Sequence, residues 1–270
     1  MSDASRVNDT PRAAAPPEAP LLAVNGLHHW FGGLHAIDGV SFSCRQGVIK
    51  AIIGPNGAGK STLFNLVAGS FPPASGRVSF AGADVTGFPS HRIASLGITR
   101  TFQSSRLFAG MSVLENVMAG RYTRGRSGFL AGMLRLPAAR RDERDARRRA
   151  LEMLDHFGVA DLAGADARSL PFGRQRVVEI VRALVGEPRL LLLDEPACGL
   201  NIRETERLGD LVRGIRSRGV TVLVVEHDMS LVMGISDEVV VLDRGSLVVE
   251  GTPREVQADP RVVAIYLGDA

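Results

Sequence analysis

The stretch VIKAIIGPNGAGKSTLFNLVAG, residues 48–69, decides the fold. Its opening, Val48–Ile53, is an apolar run of strand length that stops at Gly54-Pro55-Asn56-Gly57, and from Lys60 to Ala68 the spacing predicts a helix closed by Gly69. Between strand and helix, Gly54 to Ser61 fits GxxxxGK[ST] in the structural context that motif requires. Glycines let backbone N–H groups turn inward around phosphate oxygens, and the helix N-terminus adds its positive end. Gly54, Pro55, Asn56, Gly57, Ala58 and Gly59 then form a phosphate cradle. Lys60 reaches the β- and γ-phosphates, Ser61 coordinates Mg²⁺, and Thr62 completes the nucleotide-binding set. A glycine-rich turn with no ligand is the bland alternative; against it, the chain has lysine only at positions 50 and 60, and one of the two stands here.

Downstream, RLLLLDEP (residues 189–196) is an apolar strand that delivers two adjacent carboxylates at its end. Neighbouring side chains of a strand point to opposite sides, so Asp194 and Glu195 can hold different jobs. Asp194 suits the metal, through water. Glu195 suits activation of the water that attacks the γ-phosphate. Taken alone, such a pair is as well explained by a solvated strand exit, and the P-loop is what tips the reading.

Around these two stretches, strands are expected over Leu21–Trp30 and Ile37–Cys44 with a turn at Phe31-Gly32-Gly33, and a hairpin over Arg77–Phe80 and Ala83–Val85. A short helix over Pro89–Leu96 precedes a short strand ending at Gln103. From Val113 to about Ala167 the pattern is helical. Alternation then resumes: helix Gly173–Val185, strand Leu190–Asp194, helix Arg203–Arg218, strand Val220–Glu226, helix Met229–Ile235, strand Glu238–Leu242. Strands separated by helices imply parallel βαβ units. Ser246–Glu250 and a helix near Arg261–Leu267 end the chain. Residues 1–20, rich in Ala, Pro and Asp, read as a disordered leader, leaving 21–270 as one domain with a helical part over about 104–185.

Composition narrows the function classes. At 270 residues and 45% hydrophobic content, the chain can build a large core. The longest apolar runs fall well short of the roughly 18 residues a membrane-spanning helix needs. Cys44 and Cys198 stand far apart without CxxC or CxxH spacing, which indicates neither a disulfide framework nor a zinc site. The net charge of +3 is carried almost wholly by arginine and does not mark a nucleic-acid partner. The Arg-dense run from Arg135 to Arg149 mixes both signs at helical spacing, as a solvated helix face does; contact with lipid head groups or a membrane partner is the alternative.

Three further features carry a resemblance. Gln103 lies in ITRTFQ, Leu170-Pro171-Phe172-Gly173-Arg174 opens a helix, and His227 follows the strand TVLVVE. In that order, with the P-loop and Asp194-Glu195, the chain resembles an ABC transporter ATPase over nearly its whole length from Leu21. The resemblance implies an α/β P-loop NTPase core of ABC type with an antiparallel β subdomain and a helical subdomain. It also implies roles: Gln103 binds Mg²⁺ or the attacking water and signals to the membrane subunit, His227 contacts the γ-phosphate, and Phe31 stacks on adenine. RTFQSSRLFAGMSVLENVMAG, the Arg-rich insertion, DEPACGLN, VVEHDMSLVMGISDEVVVLDRG and the terminal DPRVVAIYLG look like the larger ATP-binding subunit of branched-chain amino acid importers. The ATPases of urea, short-chain amide and lipopolysaccharide systems look alike.

Two departures from the general pattern matter. The family's Leu-Ser-Gly-Gly-Gln appears as Leu170 to Arg174, losing the serine hydroxyl and, at Pro171, a backbone N–H; the helix terminus and its dipole remain. Asn201 stands where Asp is usual and keeps the hydrogen-bonding shape without the charge. In such a family each nucleotide lies between one subunit's P-loop and the other's signature helix. The resemblance therefore implies ATP and Mg²⁺ as ligands, a second ATPase subunit forming a heterodimer, two membrane permeases, indirectly a substrate-binding protein, and a peripheral place on the cytoplasmic membrane face. Tandem-cassette ribosomal proteins would need a second P-loop, and chromosome ATPases a long coiled coil between the motifs. P-loop kinases and GTPases lack the signature helix.

Overall fold

The computed structural model describes residues 19–101, 107–121 and 137–267. The expected leader falls almost entirely outside them, as do Gln103 and much of the helical insertion.

Two sheets organise the chain. The first is antiparallel, in the order β2-β1-β4-β5, from β1 (Leu22–Phe31), β2 (Leu34–Cys44), β4 (Ser75–Phe80) and β5 (Ala83–Asp84). The second has six strands in the order β10-β9-β3-β8-β7-β6. They are β3 (Ile49–Ile53), β6 (Ile98–Arg100), β7 (Leu190–Asp194), β8 (Thr221–Val225), β9 (Glu238–Asp243) and β10 (Ser246–Gly251). All run parallel except β10, which turns back on β9 through Arg244-Gly245. Every residue of β3, β7 and β8 is buried, which is why, Lys50 and the polar ends Asp194 and Thr221 apart, these strands read as apolar runs rather than alternating ones.

Nine helices are described: α1 (Lys60–Val67), α2 (Ser90–Ser95), α3 (Val113–Ala119), α4 (Pro137–His156), α5 (Phe172–Leu184), α6 (Ile202–Ser217), α7 (Met229–Ile235), α8 (Pro253–Ala258) and α9 (Pro260–Leu267). The apolar residues fall into three clusters. One joins the antiparallel sheet to α1 and one face of the parallel sheet. Another packs that sheet's other face against α6 and α7. The third belongs to the helices, with Val113 and Val117 of α3, Leu154 of α4 and Val178 and Val181 of α5. A mixed α/β architecture with an antiparallel sheet and a helical cluster is the fold class that the sequence implied.

One expectation is corrected: the strand expected to end at Gln103 is β6, ending at Arg100. Helix α8 was not foreseen. In the stretch read as helical from Val113 to about Ala167, the described residues form α3, α4 and 3₁₀ turns at Ala160–Leu162 and Ala167–Ser169. The Arg-rich α4 is a solvated helix where it is described: its arginines are exposed, with Arg148 paired to Glu152 at 2.9 Å, while Ala150 and Leu154 face the helical core.

Candidate active site

The site stands at the carboxyl edge of the parallel sheet, where three strands end side by side. Ile52 of β3 pairs with Val225 of β8, and Val225 pairs in turn with Asp194 of β7. The loops leaving β3, β7 and β8 carry Gly54–Ser61, Glu195 and His227, so residues far apart in sequence become neighbours. Ligands of open parallel sheets bind at such an edge.

The first loop is tightly fixed. A Cβ at Gly54 (φ +149°) would drive into the Leu242 carbonyl, and one at Gly59 (φ +98°) would stand 2.6 Å from the Ala36 oxygen. A Cβ at Gly57 would meet nothing, so the loop is walled by protein on one side and open on the other. Gly245 spans the wall: its amide donates to Ala58 O at 3.1 Å while its carbonyl accepts from Asp38 N at 2.8 Å. Pro55 is half-buried, Asn56 and Gly57 are exposed and Ala58 is buried. Lys60 opens α1 and is buried, its Nζ donating to the carbonyls of Gly54 at 2.6 Å and Pro55 at 2.9 Å. Burial lowers its pKa, and Glu195 offsets part of that shift. Ser61 and Thr62 lie in the first turn of α1, Ser61 exposed. From the chain's far end, Tyr266 of α9 comes against this loop; burial raises its phenol pKa, while the Gly54 backbone works the other way.

Asp194 is buried, and Arg100 Nη2 lies 2.7 Å from its Oδ2. Its Oδ1 is equally buried without a hydrogen-bond partner. A buried carboxylate oxygen left without a partner fits a hard divalent cation or its water. Glu195, half-buried, has φ +44°, a left-handed conformation rare outside glycine. His227 is exposed, and its Nδ1 lies 3.9 Å from Glu226.

Phe31, at the end of β1, is 51% exposed and packed edge-on against His29 and Phe71. Leu170 is buried; Pro171, extended, is the N-cap of α5, and Phe172 begins the helix, largely exposed. Gly173 is close-packed, since a Cβ there would lie 2.6 Å from Glu204 Oε1. The direction of Arg174 was not legible in the sequence. Its Nη1 donates to Gly158 O at 3.2 Å, and it lines a cleft of about 550 Å³ between the end of α4, α5 and α6. Asn201 caps α6, accepting from Glu204 N at 3.1 Å, so the amide does what hydrogen-bonding shape demands.

Two polar residues of the site escaped the sequence reading. Arg100, which ends β6, holds both Asp194 and Asn65 of α1, the latter at 2.6 Å. Glu226, next to His227, is a fully buried carboxylate. Only the interruption of an apolar strand by one charge could have flagged either.

Comparison with known proteins follows the same lines. Residues 37–198 match the ABC transporter family, and residues 246–270 match the branched-chain amino acid ATP-binding cassette transporter family. The high-affinity branched-chain amino acid transport ATP-binding protein BraF of Pseudomonas aeruginosa is 43% identical over 252 residues, covering 93% of this chain and 99% of that protein. LivG of Escherichia coli, with the same descriptive name, is 41% identical over the same span. Among solved structures, a nucleotide-free ATP-binding cassette from an ABC transporter has a TM-score of 0.82 at 31% identity, covering 93% of this chain and 100% of its own. The ADP conformation of an ATP-binding cassette gives 0.80 at 31% identity and the same coverage.

Proposed function

This chain belongs to the ABC transporter ATP-binding family, and we propose that its sheet edge is the nucleotide site of an ATPase that drives uptake of branched-chain or other hydrophobic amino acids. The observation that carries the reading is the alignment of Ile52, Val225 and Asp194 across three neighbouring strands, which gathers the phosphate loop, Asp194-Glu195 and His227 at one edge. The likeness to amino acid transport ATP-binding proteins over 93% of the chain, together with the matching terminal segment, supports the cargo.

In this reading Gly54 to Thr62 wrap the phosphates, and Lys60 leaves the carbonyls of Gly54 and Pro55 for the β- and γ-phosphates. Phe31 stacks on adenine. Asp194, Ser61 and Gln103 would hold Mg²⁺, which would offset the phosphate charge. Glu195 takes the proton of the attacking water, and His227 contacts the γ-phosphate. Leu170 to Arg174 serve the partner's nucleotide in trans through the α5 N-terminus. The subunit pairs with a second ATPase and sits peripherally on the cytoplasmic face of the membrane against two permeases, which a substrate-binding protein supplies. No described helix is long and apolar enough to cross a membrane. The described helices α3, α4 and α5 belong to the part that meets the permeases.

The altered signature makes the pair asymmetric: the site built on Lys60, Glu195 and His227 borrows the partner's signature and is the stronger one. Glu195→Gln in the assembled transporter is expected to lower ATP hydrolysis at least ~100-fold while nucleotide still binds. A larger loss from the equivalent change in the partner ATPase would sink the asymmetry. Uptake of labelled leucine into proteoliposomes tests the cargo; transport of urea or a short amide in its place would assign the chain to a related system.

A further inference from the structure

Glu226 follows the last residue of β8, the strand between β3 and β7, where the sequence otherwise places Val and Leu. Its side chain is fully buried, and a carboxylate is an expensive group to bury at a position that an apolar residue would fill. Its bonds lead to two different loops. Oε1 accepts from Ala197 N at 2.6 Å, in the loop that follows Glu195. Oε2 accepts from His227 N at 3.1 Å and Asp228 N at 3.5 Å, in the loop that follows β8.

The first loop needs such a hold. Glu195 adopts φ +44°, and the next residue, Pro196, has no N–H with which to anchor itself. On one side of Pro196 the Glu195 amide donates to Val225 O at 2.9 Å; on the other, the Ala197 amide donates to Glu226. Val225, the last residue of β8, and Glu226 directly after it therefore pin both flanks of the unusual conformation. Burial raises the Glu226 pKa, and the three amides pull against that shift.

We propose that Glu226 is a positioning residue whose carboxylate holds the Glu195 backbone in its left-handed conformation and locks that loop to the loop of His227, so that the two respond to the γ-phosphate together. The proposal rests on the catalytic reading of Glu195 and His227, and nothing in it requires Glu226 to touch nucleotide.

The test uses the assembled transporter. Glu226→Gln keeps the volume but has one acceptor oxygen in place of two, so one loop loses its hold. The expected result is a fall in kcat of ~10–100-fold with KM for ATP changed less than ~2-fold, because geometry rather than binding is lost. Combined with His227→Ala, the loss is expected to be smaller than the product of the two single losses, the mark of residues acting as one unit. A kcat within ~2-fold of the parent overturns the proposal, and so do losses that multiply. A lowered Tm with unchanged kcat per folded molecule reduces Glu226 to a structural residue. Should Glu226→Gln fail to assemble, Glu226→Asp, which keeps both acceptors on a shorter stem, is held to the same criteria. Glu195→Gln separates the two levels: if it hydrolyses ATP normally, the catalytic reading has failed, whatever Glu226→Gln does.

Discussion

Gly54 shows how little room single positions leave at the phosphate loop. Any Cβ there meets the Leu242 carbonyl, backbone that cannot swing aside, and φ is +149° besides. Gly54→Ala is expected to destabilise the chain by at least ~2 kcal/mol and weaken ATP binding at least ~10-fold, read by urea unfolding and nucleotide titration. Lys60 gives a second expectation at this scale. Its ammonium already bonds two carbonyls, and under the proposed role a β-phosphate would replace those bonds, so AMP should bind at least ~100-fold more weakly than ADP in direct titration. The identity of these residues was legible because a motif and its strand–helix context coincide. What was not legible were Arg100, Glu226 and the direction of Arg174. Their roles depend on which strand ends become neighbours, and a list of spacings does not say that β8 lies between β3 and β7.

Helix ends tell a similar story one level up. Asn201 and Glu204 form a reciprocal capping box at α6, and the Glu204 carboxylate also lies against Gly173 of α5. Asn201→Ala is expected to cost about 1 kcal/mol, while Asn201→Asp, which keeps the acceptor and suits the helix dipole, should hold the parent Tm in a thermal melt. The Thr252–Glu255 box at α8 is the same device, and it stood in the sequence as a visible signal. It went unread because a six-residue helix with only Val256 buried shows no apolar period. Long elements such as α6, with Leu208, Val212 and Ile215 buried at helical spacing, announce themselves.

At the scale of the molecule, one buried lysine joins the two sheets. Lys50 of β3 bonds Ser43 O on β2, Glu250 on β10 and, at 2.9 Å, Glu238 on β9. Lys50→Met is expected to destabilise by about 2 kcal/mol, less than for a fully enclosed pair because Glu238 and Glu250 both reach the surface. Burial pushes the Glu238 carboxyl upward, yet Lys50 and Arg45 together bring it below its ordinary 4.5. A depressed carboxylate contributes stability that is present above that value and lost as pH falls through its folded pKa. The difference in stability between parent and Lys50→Met should therefore shrink below about pH 4.5, as pH-dependent urea unfolding would record. Both sheets were readable as strands, but the sequence carried no sign of this joint, since a lone Lys inside an apolar strand says nothing of what it will meet. The Gly245 bridge between Asp38 and Ala58, with Ala36 seated against Gly59, fastens the β1–β2 hairpin directly to the phosphate loop. In the proposed reading, with Phe31 on the base and Lys60 on the β-phosphate, this fastening acts as a calliper between the two grips, one that would gauge a nucleotide by its length before any chemistry begins.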